Sequence, residues 1–210
     1  MADPILIDVP SVWSVGDVVM SMERVSAISV SPFTKEEQIA EWPGEQWIIN
    51  FNLNLMTERE IASQWIAFGL KLKGRRNRFL FGDPSGKKPQ GVATGTPVVD
   101  GANQVGDVLA TTGWTPSVTG ILKVGDYIQI GTGMSARLKF VTDDVSSDAS
   151  GNALIPIASS LNSLTSPLDG ASIITNNPRG VFRLVDDTWS WNATPERYDV
   201  SFRAVEVVNA

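Results

Sequence analysis

Between Trp47 and Leu55 apolar and polar residues alternate: Trp47, Ile49, Phe51, Leu53 and Leu55 fall on one side, Asn50, Asn52 and Asn54 on the other. A period of two is the pattern of a half-buried strand, so one face must meet a core. The period then changes. Ile61, Trp65, Phe68 and Leu72 recur at helical spacing behind Thr57-Glu58-Arg59-Glu60, where a hydroxyl and a carboxylate stand at capping-box separation. Lys71 and Lys73 fall where the helix dipole favours cations, and Gly74 offers a left-handed terminator. The spacing predicts a helix over residues 57–73, about 17 residues and roughly 25 Å long. Arg78 to Pro84 returns as a short apolar strand ending in turn residues. No other strong amphipathic helix is written in the chain, so one helix covering a sheet is expected.

Further on, the pattern turns to short β-like runs separated by Gly, Ser, Thr and Asn. They are Asp107–Ala110, Asp126–Ile130, Ala136–Thr142 and Ala153–Ile157. Val105-Gly106-Asp107-Val108 and Val124-Gly125-Asp126-Tyr127 echo each other as turns entering strands. From Val181 three antiparallel strands are expected: Val181–Val185, Thr188–Trp191 and Tyr198–Val208, with turns at Asp186-Asp187 and Asn192–Glu196. In the last of them Tyr198, Val200, Phe202 and Ala204 alternate with Asp199, Ser201 and Arg203.

Composition sharpens this division. Residues 88–177 hold 11 of the 18 glycines, 11 charged residues against 29 outside, one tryptophan of seven and no glutamate. The break predicts three segments, 1–87, 88–177 and 178–210, the middle one a small all-β insert between strands of a single flanking sheet system. An insert of this kind is expected to fold alone and to be removable by joining Lys87 to Pro178.

The 210-residue chain, with 42% hydrophobic and 19% charged residues, has the composition of an ordinary globular protein. It contains no run of 18 apolar residues and no signal-peptide pattern, so membrane insertion is not expected. Cysteine and histidine are both absent. Their absence removes thiolate nucleophiles, disulfides, and the commonest general base and metal ligand, so no catalytic residue, cofactor or metal is expected. A net charge of −6 argues against a nucleic-acid grip as the main task.

Three oxygen- or glycine-rich constellations invite a chemical reading. Asp143, Asp144, Asp148, Ser150 and Asn152 form an oxygen-rich loop without the EF-hand spacing, and read as a turn. Asp186-Asp187 likewise reads as a turn, and Gly131-Thr132-Gly133 as a loop lacking the phosphate-binding signature. More is asked of Lys71, Lys73, Arg75, Arg76 and Arg78, because only part of that basic cluster serves the helix dipole. An opposite cluster, Glu36, Glu37, Glu41 and Glu45, lies with Trp42 in a segment bounded by Pro32 and Pro43 that reads as an extended arm.

Taken together, the strand Gln46–Leu55, the helix 57–73, the strand Arg78–Pro84, a β-rich insert containing Lys123-Val124-Gly125-Asp126-Tyr127-Ile128-Gln129-Ile130, and the return Asn177-Pro178-Arg179-Gly180-Val181-Phe182-Arg183-Leu184 resemble the distal tail proteins of long, flexible-tailed bacteriophages. The resemblance covers nearly the whole chain by the order of its parts. It implies a mainly β fold: a belt-type β-sandwich with one covering helix over 1–87 and 178–210, and an inserted barrel of oligonucleotide/oligosaccharide-binding type over 88–177. It also implies a homo-oligomeric, hexameric ring in the virion at the tail tip, assembled in the host cytoplasm. Such a ring joins the tail tube protein to the tail-tip hub protein, with DNA only as passing cargo.

A head-to-tail ring needs two different complementary patches on each subunit. Glu36, Glu37, Glu41 and Trp42 on the arm and Arg75, Arg76 and Arg78 at the helix end are the candidates. The competing expectation is a carbohydrate-binding module attaching to a host surface, with Trp114 and Tyr127 as aromatic platforms. A carboxylate-based glycosidase is a weaker third class, because the insert has no glutamate.

Overall fold

The structure is a computed structural model that describes residues 3–11 and 16–208; the side chains of Pro43, Asn54 and Leu55 lie outside the description, and with them the faces expected for Asn54 and Leu55. The elements in chain order are β1 (Gly16–Val30), β2 (Glu37–Met56), α1 (Arg59–Leu72), β3 (Phe79–Phe81), β4 (Gly95–Val99), β5 (Gly106–Trp114), β6 (Tyr127–Ile130), β7 (Arg137–Val141), β8 (Ala153–Leu161), β9 (Ile173–Ile174), β10 (Gly180–Leu184), β11 (Trp191–Ala193) and β12 (Tyr198–Glu206). The fold is mainly β, with one α-helix among the described residues.

Two antiparallel sheets result. The first runs β1-β2-β12-β10-β3, with β11 also on β12, and the second runs β4-β5-β8-β7-β6-β9. An isolated bridge between Val98 and Ser172 brings the two edges of the second sheet together and makes it nearly a barrel. All strands of the first sheet come from residues outside 88–177 and all strands of the second from within it.

The alternating strand packs as its pattern requires. Ile49, Phe51 and Leu53 are buried against Trp65, Phe68 and Leu72 of α1. An aromatic cluster fills the layer between: Phe51 stacks on Phe202 at 4.3 Å, and Phe68 meets Phe79 edge-on at 5.4 Å. The fully buried members, Phe51, Phe68 and Phe79, contribute about 1.5–3 kcal/mol each, and Phe202 is partly buried against them. Trp189 closes the layer over the helix, lying so tightly on Gly69 that a methyl group there would overlap its indole.

The helix begins later than its sequence suggests. β2 continues to Met56, which pairs with Tyr198, so Thr57 stays in the connection. Glu58 becomes the N-cap, with no side-chain capping bond, and the expected Thr57–Glu60 capping box does not form. At the other end Lys73 takes the left-handed cap (φ 53°), followed by left-handed Gly74. Asn77, buried, finishes the helix by donating its Nδ2 to the Lys71 carbonyl at 2.8 Å.

The two sheets share a core. Leu138 of the insert belongs to the same buried cluster as Trp47, Phe51 and Phe182, with Tyr127 and Phe140 packed against it. Trp47 Nε1 donates to the Leu138 carbonyl at 3.1 Å, and the Leu138 amide donates to Glu206 Oε1 at 3.2 Å. Ala136 packs with Val181 and Val207. These contacts correct the expectation of a removable insert, because excision would uncover apolar and hydrogen-bonding groups of the first sheet.

Other boundaries move as well. β1, β4 and β9 form where the sequence pattern predicts no strand, and Thr188–Ser190 is loop, with the short strand at Trp191–Ala193 instead.

Candidate assembly interface

β1 and β2 form a hairpin that outruns its sheet. β12 pairs with β2 only from Ile48 to Met56, whereas β1 stays paired with β2 out to Val30 and Glu37. The acidic segment, expected as an extended arm outside the core, is one strand of a two-stranded ribbon. From Glu23 to Trp42 every residue is exposed except the partly covered Ser31. Cross-strand partners share a face, so Val25, Trp42, Ala27 and Ala40 lie on one side. Ile28, Ile39 and Val30 lie on the other, with Glu37 and Glu41. A two-stranded ribbon is marginal in water by itself, and this one exposes apolar side chains on both faces.

Glu36, Glu37 and Glu41 sit on this ribbon and its turn without an ion pair among the described residues. Glu45 differs from them. It pairs with Arg24 at 2.9 Å and accepts the Ser160 amide at 2.6 Å, tying the root of the arm to β8 of the insert. Trp42 is 52% exposed and lines an open cavity at that root with Arg24, Val25, Glu45 and Ser160.

The basic cluster at the helix end is partly engaged within the chain. Asp187 accepts the Arg75 amide at 3.1 Å and faces its guanidinium at 3.8 Å. Arg78 bridges to the N-terminal segment through Ile5 and Ile7, and its Nη1 donates to the carbonyls of Arg75 and Arg76. Burial, and then the charge of Arg183, hold the Arg78 guanidinium below its ordinary value. Arg76 is exposed. The structure does not bring Glu36, Glu37 or Glu41 to this cluster within one chain.

The two aromatic candidates of the insert are not open platforms. Trp114 is 3% exposed and donates Nε1 to Thr111 Oγ1 at 2.8 Å, which makes it a core residue. Tyr127 is half-buried between Trp47 and Phe140, at 6.2 and 5.1 Å. Burial, followed by the charge and hydrogen bond of Asp83, pushes its phenol up to about 12. The Gly-Asp-Tyr phrase proves architectural: Asp126, buried behind left-handed Gly125, gathers the amides of Gln90, Gly91 and Lys123 at 2.6–3.2 Å. Asp144 and Asp148 likewise hold turns, Asp148 by accepting the amides of Ser150 and Asn152.

Sequence reasoning missed the polar seam between the sheets. Lys139 is buried and donates Nζ to the Ser159 carbonyl and hydroxyl at 2.5 and 3.0 Å. Burial pushes the Lys139 ammonium down and the Glu206 carboxyl up, each opposed by the charge of the other. A lysine within Arg-Leu-Lys-Phe-Val gives no sign that it faces inward, because that depends on which sheet lies beside it. Among the described residues no group of three or more His, Cys, Asp and Glu is placed to hold a metal ion.

Compared with known proteins, the sequence matches no family model, and no curated protein is significantly similar to it.

Proposed function

We propose that the chain is a structural subunit of a bacteriophage tail, and that copies close head to tail into a ring at the distal end of the tail. In this reading the ring is hexameric, as the resemblance implies. It joins the tail tube protein to the tip hub, leaves a channel for DNA and carries out no catalysis. The observation that supports it is the ribbon from Glu23 to Trp42, which the chain's own core leaves uncovered although it displays Val25, Ile28, Val30, Phe33, Ile39 and Trp42. Such a ribbon is stabilised by a second surface, and a heterologous contact that closes gives a cyclic assembly. The carbohydrate-binding reading loses support, because Trp114 is in the core and Tyr127 is flanked by other rings.

Light scattering and negative-stain microscopy of the pure protein test the proposal. Closed rings, lost when residues 25–42 are replaced by a short Gly/Ser turn, are expected. A protein that stays monomeric at every concentration overturns it.

A further inference from the structure

The side of the first sheet facing away from α1 carries cations that no sequence pattern groups together. On β12, Arg203 lies opposite Asn50 and Ser201 opposite Asn52. Arg183 lies opposite Val205, two positions from Arg203 on the same strand, and so shares its face. Leu80 lies opposite Val181, which places Arg78 on that face too. Burial first, and then the charge of Arg183, lower the Arg78 guanidinium, in keeping with that placement. Arg78 and Arg183 spend part of their donors on nearby carbonyls, and Arg203 is exposed. None of the three is in an ion pair among the described residues. Three arginines from neighbouring strands thus share one face, with Asn50, Asn52 and Ser201 beside Arg203 and Asp186 and Asp187 lining a pocket with it, in a chain of net charge −6.

Complementary charge is available on the arm. Glu37 and Glu41 flank Ile39 on one ribbon face, opposite Val30, Ser26 and Ile28. They do not reach the arginines of their own chain. Glu37 stands thirteen positions before Asn50 on the same continuous strand, roughly 43 Å at about 3.3 Å per residue. The arm points away from the patch, so only another copy unites them.

We propose that the arm of one copy lies across the Arg78–Arg183–Arg203 face of the next, with Glu37 and Glu41 against the guanidiniums. This inference rests on the ring reading above and names its joint. It moves the acceptor from Arg75, which already answers to Asp187, to Arg183 and Arg203 with Arg78 beside them.

The test compares assembly of the full chain with that of an Arg183→Glu, Arg203→Glu variant at low salt, with circular dichroism confirming that both are folded. The expected result is at least about a tenfold rise in the concentration needed for rings, because like charges now oppose each other at every joint. Adding Glu37→Lys and Glu41→Lys to the same chain should restore assembly. Because the chain has no cysteine, a Glu41→Cys, Arg203→Cys variant gives a second measurement. It should form intermolecular cross-links with a short bismaleimide even if the charge variant misfolds. Rings that ignore the charge reversal, or a loss that the lysines do not rescue, overturn this joint and leave the ring reading standing. Wild-type chains that never form rings overturn both. Binding of a labelled DNA duplex that disappears in the arginine variant while rings persist assigns the face to phosphates instead.

Discussion

Trp47 of β2 donates its indole N–H to the main-chain carbonyl of Leu138 in β7, so a side chain from the first sheet is completed by the backbone of the second. With Leu138 also bonded to Glu206, the seam between the sheets is part of the core. Excising residues 88–177 and joining Lys87 to Pro178 is therefore expected to abolish cooperative unfolding. The milder Trp47→Phe change should cost about 1–3 kcal/mol, through an orphaned buried carbonyl. Denaturant unfolding of both variants checks this; an excised chain that unfolds with a sharp two-state transition would show that the seam is dispensable.

Gly69 is expected to be intolerant of even a methyl group. Trp189 occupies the space a Cβ would need, so Gly69→Ala should destabilise by about 1–3 kcal/mol despite alanine's better helix propensity. Pairing it with Trp189→Ala should make the Gly69→Ala step nearly neutral. A double-mutant cycle by thermal unfolding reads the coupling, and strict additivity would contradict the overlap.

Asp126 should be worth more than its place in a turn suggests. Its carboxylate serves the amides of Gln90, Gly91 and Lys123 while itself buried. Asp126→Ala is expected to cost on the order of 3 kcal/mol, with exchange of those three amides accelerated before the rest of the insert. Hydrogen exchange measured residue by residue is the check.

The Tyr127 phenol supplies a pH signature. Its folded pKa of about 12 lies above the ordinary 10.0, because burial and Asp83 disfavour the phenolate. The stabilisation linked to it is full below pH 10 and is lost as pH rises through about 12. Ultraviolet titration of the folded protein should show a phenolate step near pH 12 that vanishes in Tyr127→Phe. In Asp83→Asn the step should move to lower pH; a Tyr127 step unaffected by Asp83→Asn would contradict the proposed cause.

The single helix, the inward face of Trp47–Leu53 and the all-β middle were legible from local pattern, because period and composition depend on residues close in the chain. The capping box was legible and wrong. Thr57 has the right chemistry, but Met56 is held in the sheet by Tyr198, and a tertiary strand pairing outweighed a local capping preference. β1 escaped notice because its outer half faces water on both sides, so Val25, Ile28 and Val30 carry no core-directed alternation.

The candidate surfaces divide in the same way. Acidic and basic clusters separated in sequence were visible as charge runs, and so was the absence of histidine and cysteine. Which charges remain outside the chain's own network was decided by tertiary structure. Glu45 is drawn to Arg24 and Ser160, and Arg75 to Asp187, while Glu37 and Glu41 stay on the ribbon. Sheet register alone gathers Arg78, Arg183 and Arg203 on one face, because residues more than a hundred positions apart become neighbours only when β3, β10 and β12 pair. The amino-acid sequence by itself determined which segments bury a face and which chemistries are missing, since those follow from residue type and spacing. The long-range pairing of strands decided what the buried faces meet and which charged groups are left to meet another molecule.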